Sequence, residues 1–319
     1  MKLSLLLNCV KTTVKSAIIA TETEVTIKAP WGNIGALTWG NSNNPAVLLC
    51  HGRQDACSGF RPLLQTLPEC FFYVAVDLPG HGKSDTLPLG PKLSTLDLVP
   101  TVAQVREHFG WKRFIFMGHS LGALIGKHFV MAYPDVISRT VELDPLPAYL
   151  TTSREDLKDW YHSTYGEHYS ADGYKKFTAG PETAPKYTYE KALEIVMERR
   201  SLNKEASEHV LERFLVPAGN GLYRFNYDRR LVVPAMLPFP VDYMRDIYTS
   251  FTLPILSILS TFLLQHGLYE VPSFIKDETQ WPNNNYKCHI IDGTHDFHID
   301  KPHMVADEIS KFLLDDLKG

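Results

Sequence analysis

The sequence predicts an α/β fold with a mostly parallel eight-stranded sheet, helices on both faces and an inserted helical segment. Short runs that are apolar at every position alternate with segments whose apolar residues recur at helical spacing. Strands that are apolar throughout are typical of parallel sheets, because helices cover both faces of such a sheet. From about Pro145 to Thr252 the strand-like runs stop and the sequence becomes polar and helical. We therefore expect an insertion within a sheet domain.

The elements can be placed in chain order. A hairpin is expected first, because residues 24–28 and 34–39 flank the turn signal Pro30-Trp31-Gly32-Asn33. The remaining strands are expected at 46–50, 71–76, 114–117, 138–143, 254–259 and 288–291, and helices at 61–67, 96–109, 121–133, 187–200, 204–214 and 304–317.

This pattern divides the chain into three parts. Residues 1–27 form an N-terminal extension, residues 28–144 and 253–319 form the core, and residues 145–252 form a helical lid without strands. The Gly- and Pro-rich stretch 77–84 follows a strand and is interpreted as a structural turn.

Composition limits the function classes. The chain has 319 residues, a formal net charge of -4 and 44% hydrophobic residues, so nothing attracts it to nucleic acid or anionic lipid. A small-molecule substrate is expected, without a metal, cofactor or stable membrane insertion, and the oligomeric state is left open. The five cysteines include no CxxC spacing, which favours a reducing compartment and a cytoplasmic location. The segment before Glu22 lacks acidic residues, so a mitochondrial presequence is the alternative.

A candidate nucleophile lies between a predicted strand and a predicted helix. Gly118-His119-Ser120-Leu121-Gly122 matches the GxSxG pattern of a nucleophile elbow in the context that this motif requires. Side chains two residues before or after the serine would collide with such a tight turn, so glycine is needed at both positions. The fold expected from this motif is the α/β-hydrolase fold, with Ser120 as its nucleophile.

The loop after the strand 46–50 predicts the oxyanion hole. It begins His51-Gly52-Arg53, and the backbone N–H groups of Arg53 and Leu121 are expected to bind the oxyanion. The side chain of Arg53 could bind a substrate carboxylate, pair with an acid of the lid or lie in solvent. His119 is a candidate substrate contact, with a core or surface position as the alternative.

The general base is expected after the last strand, because the triad order is serine, acid, histidine. His295 follows a glycine turn there, and His298 is the alternative. The acid is expected to be Asp144, which ends a strand and precedes Pro145, with Glu270 as the alternative. The proline should bias Asp144 toward an extended conformation and so hold its carboxylate above the sheet edge.

Several blocks together resemble the animal serine hydrolase-like proteins, which include the insect member called kraken. The blocks are Pro30-Trp31-Gly32, His51-Gly52, residues 72–77, Gly80-His81-Gly82, residues 111–114, Gly118-His119-Ser120 and residues 226–231. The resemblance implies a serine hydrolase of the α/β-hydrolase superfamily but names no substrate. It also marks a departure, since the family usually has tryptophan where this chain has Arg53.

The sequence thus predicts a carboxylesterase-like serine hydrolase that acts on an ester or related acyl group of a small hydrophobic molecule through an acyl-enzyme on Ser120. Two alternatives remain: an acyltransferase or lyase that uses the same pocket, and a ligand-binding protein with residual hydrolase activity.

Overall fold

A central sheet organises the chain in the computed structural model, which describes residues 17–317. Its strands are β1 (Thr23–Ala29), β2 (Gly32–Trp39), β3 (Ala46–Cys50), β4 (Phe72–Val76), β5 (Phe114–His119), β6 (Ile137–Leu143), β9 (Ile255–Ser260) and β10 (Tyr286–Ile291). They lie in the order β1-β2-β4-β3-β5-β6-β9-β10. β1 and β2 run antiparallel to their neighbours, and the others pair in parallel. The predicted eight-stranded, mostly parallel sheet is therefore confirmed.

Helices cover both faces of this sheet. Outside the insertion they are α1 (Arg61–Leu64), α2 (Val99–Phe109), α3 (Leu121–Ala132), α10 (Thr261–Gln265), α11 (Phe297–Asp300) and α12 (His303–Asp315). Alternate residues of a strand belong to two different hydrophobic clusters: Leu48 packs in the cluster of α2 and α3, whereas Leu49 packs with α1 and α12. This alternation follows from the two-residue period of a strand.

The sheet starts earlier than the sequence indicated. β1 begins at Thr23 and pairs with β2 from there, so residues 23–27 belong to the core and the boundary predicted at residue 28 is wrong. The boundary moves because of the hairpin register, in which Thr23 lies opposite Thr38 and Ala29 lies opposite Gly32. The mitochondrial-presequence hypothesis concerns a segment that lies mostly outside the described residues.

Residues 145–252, here called the insertion, leave the sheet after β6 and return to it at β9. Its helices are α4 (Leu157–Tyr161), α5 (Glu167–Tyr169), α6 (Ala171–Thr178), α7 (Tyr189–Arg200), α8 (Lys204–Phe214) and α9 (Val241–Thr249), with a π-helical turn at His162–Gly166. The insertion also contains a two-stranded antiparallel sheet of β7 (Leu215–Pro217) and β8 (Tyr223–Phe225). The expectation of a segment without strands is wrong, because these strands are too short to leave a recognisable pattern.

Parallel pairing brings four chain segments to one edge of the sheet. His119 at the end of β5 lies opposite Leu143 at the end of β6, which in turn lies opposite Ile258 of β9. Ser260 at the end of β9 lies opposite Ile291 at the end of β10. The residues that follow these strand ends therefore meet above the sheet. Among residues 17–317, no helix is both long and apolar enough to cross a membrane.

Candidate active site

Ser120 occupies a strained turn between β5 and α3. Its backbone has φ 51° and ψ −114°, a conformation that non-glycine residues rarely adopt and that clusters at functional sites. The turn is held by a hydrogen bond from the Ser120 N–H to the carbonyl of Leu143, at 3.0 Å. A Cβ on Gly118 would collide with the backbone of Ala123, and one on Gly122 with the carbonyl of Cys50. The two glycines are thus required by the close approach of neighbouring backbone, as the sequence predicted.

His295 and Asp144 are joined directly. Nδ1 of His295 lies 2.8 Å from Oδ2 of Asp144, across 151 positions of sequence. The Asp144 side chain is fully buried, whereas the His295 side chain is 29% exposed. Burial by itself would lower the pKa of His295, but the hydrogen bond and the negative charge of Asp144 outweigh it and raise this pKa above the usual value. The imidazole therefore keeps one nitrogen on the carboxylate and has exposed surface toward the cavity.

The carboxylate of Asp144 accepts three further hydrogen bonds. Its Oδ1 accepts from the backbone N–H of Ser260 at 3.0 Å and from the hydroxyl of Tyr269 at 3.1 Å, and its Oδ2 accepts from the hydroxyl of Ser260 at 2.6 Å. The sequence analysis missed both partners. Ser260 could have been found, because it ends the strand next to β6, but Tyr269 lies in an irregular segment and leaves no sequence signal.

The structure corrects the reason given for Asp144. Its φ is 46°, so Pro145 does not hold it in an extended conformation. The hydrogen bonds to its side chain, together with the bond from its N–H to the carbonyl of Ile258 at 2.8 Å, stabilise the left-handed conformation instead. Glu270 is exposed, and the residue beside it, Tyr269, is the one that reaches Asp144.

His298 and His119 lie behind His295. His298 is 1% exposed and packs at tilted angles between the rings of Phe60 and His119, and burial lowers its pKa to about 4. His119 is 2% exposed, and its Nε2 lies 3.0 Å from the backbone carbonyl of His295. Burial also lowers the pKa of His119 well below its usual value, so both rings are neutral near pH 7. His119 lines the cavity, but its hydrogen bond is made to the His295 loop.

Two residues that line the cavity with Ser120 have backbone N–H groups without a partner in the part of the chain that the structure describes. Leu121 is the first residue of α3, and Arg53 lies in the loop after β3. Neither N–H donates a hydrogen bond to a described residue. Helix N-termini leave such donors free, and the helix dipole favours an anion there. The preceding glycine is needed as well, because a Cβ on Gly52 would lie 2.7 Å from Nδ1 of His119.

The side chain of Arg53 reaches the insertion. Its Nη1 donates a hydrogen bond to the carbonyl of Val232, and no acid of the insertion pairs with it among the described residues. The Arg53 side chain was expected to bind a substrate carboxylate, pair with an acid of the lid or lie in solvent. Pairing with an acid of the lid is not observed among the described residues.

These groups surround a cavity of about 430 Å³ between the sheet edge and the insertion. Ser120 and His295 lie on its sheet side. The insertion contributes mostly apolar side chains, namely Leu146, Pro147, Leu150, Ile195, Val196, Phe214, Phe225, Tyr227, Val233, Pro234 and Met236. The wall suits a small, largely apolar ligand.

The sequence analysis also missed Arg200, the last residue of α7. Its guanidinium binds Asp296, with Nε 2.9 Å from Oδ2, and binds Asp55 with Nη2 3.1 Å from Oδ2. Burial would raise the pKa of Asp296, but Arg200 holds it far below its usual range. Because Asp296 directly follows His295, this ion pair ties the insertion to the loop that carries His295.

One group of buried side chains could also hold a cation. Asp55, His119 and His298 have donor atoms that all lie within 4.8 Å of one another. The Asp55 carboxylate is already bound by Arg200 and by the N–H of Ala56, so its charge is compensated without an ion.

The chain is similar to known proteins in both sequence and fold. The family model for the alpha/beta hydrolase fold matches residues 45–302. A serine hydrolase-like protein of Mus musculus is 28% identical over 307 residues, covering 91% of this chain and 95% of the relative. Serine hydrolase-like protein 2 of Homo sapiens is 27% identical, covering 91% and 93%. The crystal structure of a hypothetical protein of Pseudomonas aeruginosa PAO1 aligns with a TM-score of 0.75 at 25% identity, covering 93% of this chain and 99% of the other. The predicted resemblance to serine hydrolase-like proteins is confirmed.

Proposed function

Because this chain belongs to the α/β-hydrolase fold family, as its sequence predicted, we propose that it is a serine hydrolase that cleaves a carboxylic ester or related acyl bond of a small hydrophobic molecule. The observation that carries the proposal is the 2.8 Å contact between His295 and the buried Asp144, on a cavity that His295 lines together with Ser120 in its strained elbow. Of these three side chains, Ser120 has the hydroxyl that a histidine base activates for acyl transfer.

In the first half-reaction the Ser120 hydroxyl attacks the substrate carbonyl, and His295 takes the hydroxyl proton on Nε2. Asp144 accepts the hydrogen bond from Nδ1, which fixes the tautomer and stabilises the imidazolium that forms. The N–H groups of Arg53 and Leu121 bind the oxyanion. When the tetrahedral intermediate collapses, the bond to the leaving group breaks, His295 returns the proton to it, and Ser120 carries the acyl group.

In the second half-reaction a water molecule attacks the acyl-enzyme and gives its proton to His295. The carboxylic acid then leaves and Ser120 regains its proton. His119 supports this cycle by bonding the His295 carbonyl. The insertion acts as a lid, because it supplies the apolar wall that excludes water from the reacting carbonyl.

The test combines labelling with turnover. A fluorophosphonate should label the purified protein stoichiometrically at Ser120, and a short p-nitrophenyl ester should be hydrolysed with release of the free acid. Labelling without turnover would favour a ligand-binding protein, and transfer of the acyl group to an added alcohol in preference to water would favour an acyltransferase. Absence of both labelling and turnover would refute the proposal.

A further inference from the structure

The catalytic cavity carries a charge opposite in sign to that of the whole chain. The described residues that line it include three arginines, Arg53, Arg199 and Arg200, and a single carboxylate, Asp296. The chain as a whole has a formal net charge of -4. Arg53 and Arg199 are exposed on this wall, so water hydrates them in the free protein. A ligand that fills the otherwise apolar cavity would displace part of that water, and a buried charge is costly unless it is paired.

One of these arginines, Arg200, is already paired with acidic side chains of the protein. Arg200 binds both Asp296 and Asp55, so its charge is balanced within the protein. Asp296, the one carboxylate of the wall, is therefore already paired. By contrast, neither Arg53 nor Arg199 lies within ion-pair distance of an acidic side chain in residues 17–317; the hydrogen bond that Arg53 makes is to the backbone carbonyl of Val232. Two cations of the cavity wall therefore lack an anion.

Arg53 is the cation nearest to the proposed chemistry. Its backbone belongs to the oxyanion loop, whose Gly52 lies against Ser120. Its side chain runs from there to the insertion, at Val232. Arg53 is an exposed residue, although partial desolvation lowers the pKa of its guanidinium, and no acid among residues 17–317 compensates its charge. A negatively charged group in the cavity would supply that compensation.

Arg199 lies where this cavity meets a second one of about 150 Å³, which shares Ile195, Phe225 and Tyr227 with it. The acid of that second cavity, Asp228, is bound by Arg230 at 2.6 Å. Arg199 thus adds positive charge where the two cavities meet, away from the oxyanion loop.

We infer that the substrate of this hydrolase carries an anionic group, a carboxylate or a comparable oxyanion, and that Arg53 binds it. The inference rests on the proposed hydrolase function and narrows its substrate class. Arginine suits this task because its planar guanidinium binds carboxylates through two parallel hydrogen bonds and keeps its charge at any physiological pH. The remaining apolar wall holds the carbon chain between the charge and the reacting carbonyl.

The experiment compares esters in which one carboxyl group is either free, and so anionic, or methylated. One pair places the charge on the acyl side: p-nitrophenyl hemiadipate against the mixed p-nitrophenyl methyl ester of adipic acid. The other places it on the leaving group: 4-carboxyphenyl hexanoate against 4-(methoxycarbonyl)phenyl hexanoate. In at least one pair the wild-type kcat/KM for the anionic ester should exceed that for the neutral ester by about tenfold, since a hydrogen bond to a charged group is worth about one to two orders of magnitude.

The Arg53→Gln variant should lower this anionic-to-neutral ratio by about tenfold in the same pair, and added salt should lower the wild-type ratio. The ratio cancels any loss that both esters share, including one at the oxyanion hole. Arg245→Gln is the matched control, because Arg245 lies on α9, outside the cavity lining, and pairs with exposed Asp242. It should leave the ratio unchanged, and circular dichroism and thermal unfolding should show that both variants fold.

A protection assay gives a second readout without turnover. Monomethyl adipate should slow fluorophosphonate labelling of the wild type more than dimethyl adipate does, and Arg53→Gln should abolish the difference. Equal or lower kcat/KM for the anionic member of both pairs would overturn the inference while leaving the hydrolase intact. A larger drop in Arg199→Gln than in Arg53→Gln would overturn the assignment to Arg53. Failure of both labelling and ester cleavage would instead refute the proposed function.

Discussion

Replacing Asp144 by asparagine tests the proposed triad most sharply, because the change keeps the shape of the side chain and alters only its hydrogen bonding. The carboxylate accepts from four donors, namely Nδ1 of His295, the Ser260 hydroxyl, the Ser260 N–H and the Tyr269 hydroxyl. An amide offers one acceptor oxygen and one donor NH₂ group, so it cannot satisfy this set in either orientation.

If the amide NH₂ takes the Oδ2 position, it faces Nδ1 of His295, which must then become an acceptor. The proton moves to Nε2, and the ring can no longer take the proton of Ser120. If the amide is flipped, its NH₂ group faces the backbone N–H of Ser260, which cannot change its role. The first orientation is therefore expected, with a loss of roughly 10⁴ in kcat, equivalent to about 5 kcal/mol in activation free energy.

The loss should appear in kcat more than in KM, because the bond between His119 and the His295 carbonyl still holds the loop. The assay is the kcat of a short p-nitrophenyl ester, with circular dichroism to check folding. Glu270→Gln is the matched control, since it removes a carboxylate from an exposed position of the neighbouring segment and should change kcat less than twofold. Retention of more than a tenth of wild-type activity by Asp144→Asn would refute the triad assignment.

Three further predictions follow. Ser120→Ala should lower kcat by several orders of magnitude, because triad members act as a unit, with little change in the thermal midpoint. The kcat/KM of the wild type should rise with pH as His295 loses its proton, with a midpoint above the usual histidine value of about 6.5 because Asp144 raises this pKa. His295→Gln should remove both the activity and this rise with pH, whereas His298→Gln should keep them. Arg213→Met should lower the free energy of unfolding by roughly 3–5 kcal/mol, because it leaves the buried Asp77 carboxylate, which Arg213 contacts at 2.6 Å, without its partner.

A specific result would contradict each of these three predictions. A labelled and active Ser120→Ala protein would move the nucleophile elsewhere, and loss of the rise with pH in His298→Gln alone would move the base. The pH dependence of the ion pair between Arg213 and Asp77 follows from the pKa of Asp77. Burial would raise the pKa of this carboxyl, but Arg213 holds it below its usual value. The pair therefore stabilises the fold above about pH 4 and stabilises it less as the pH falls. A variant at Arg213 that unfolds at the same urea concentration as wild type at pH 7 would contradict this.

The sequence by itself determined the features that depend on a few neighbouring residues. The elbow at Ser120 follows from steric limits within five residues, Gly118 to Gly122, and the structure has the strained turn and the close backbone contacts that those limits imply. The alternation of apolar strands and helices likewise determined the mostly parallel sheet, because covering both faces of a strand requires an apolar side chain at every position.

The tertiary structure decided which distant residues surround these local features. The partner of His295 lies 151 positions away, and local pattern left Asp144 and Glu270 as alternatives with a conformational argument that was wrong. Tyr269 and Arg200 left no local signal, since each acts through a contact made only after the sheet edge, the loops and the insertion have come together. Hydrogen bonds and ion pairs depend on distances of about 3 Å between side chains, and for residues so far apart in sequence the packing of the whole chain sets those distances.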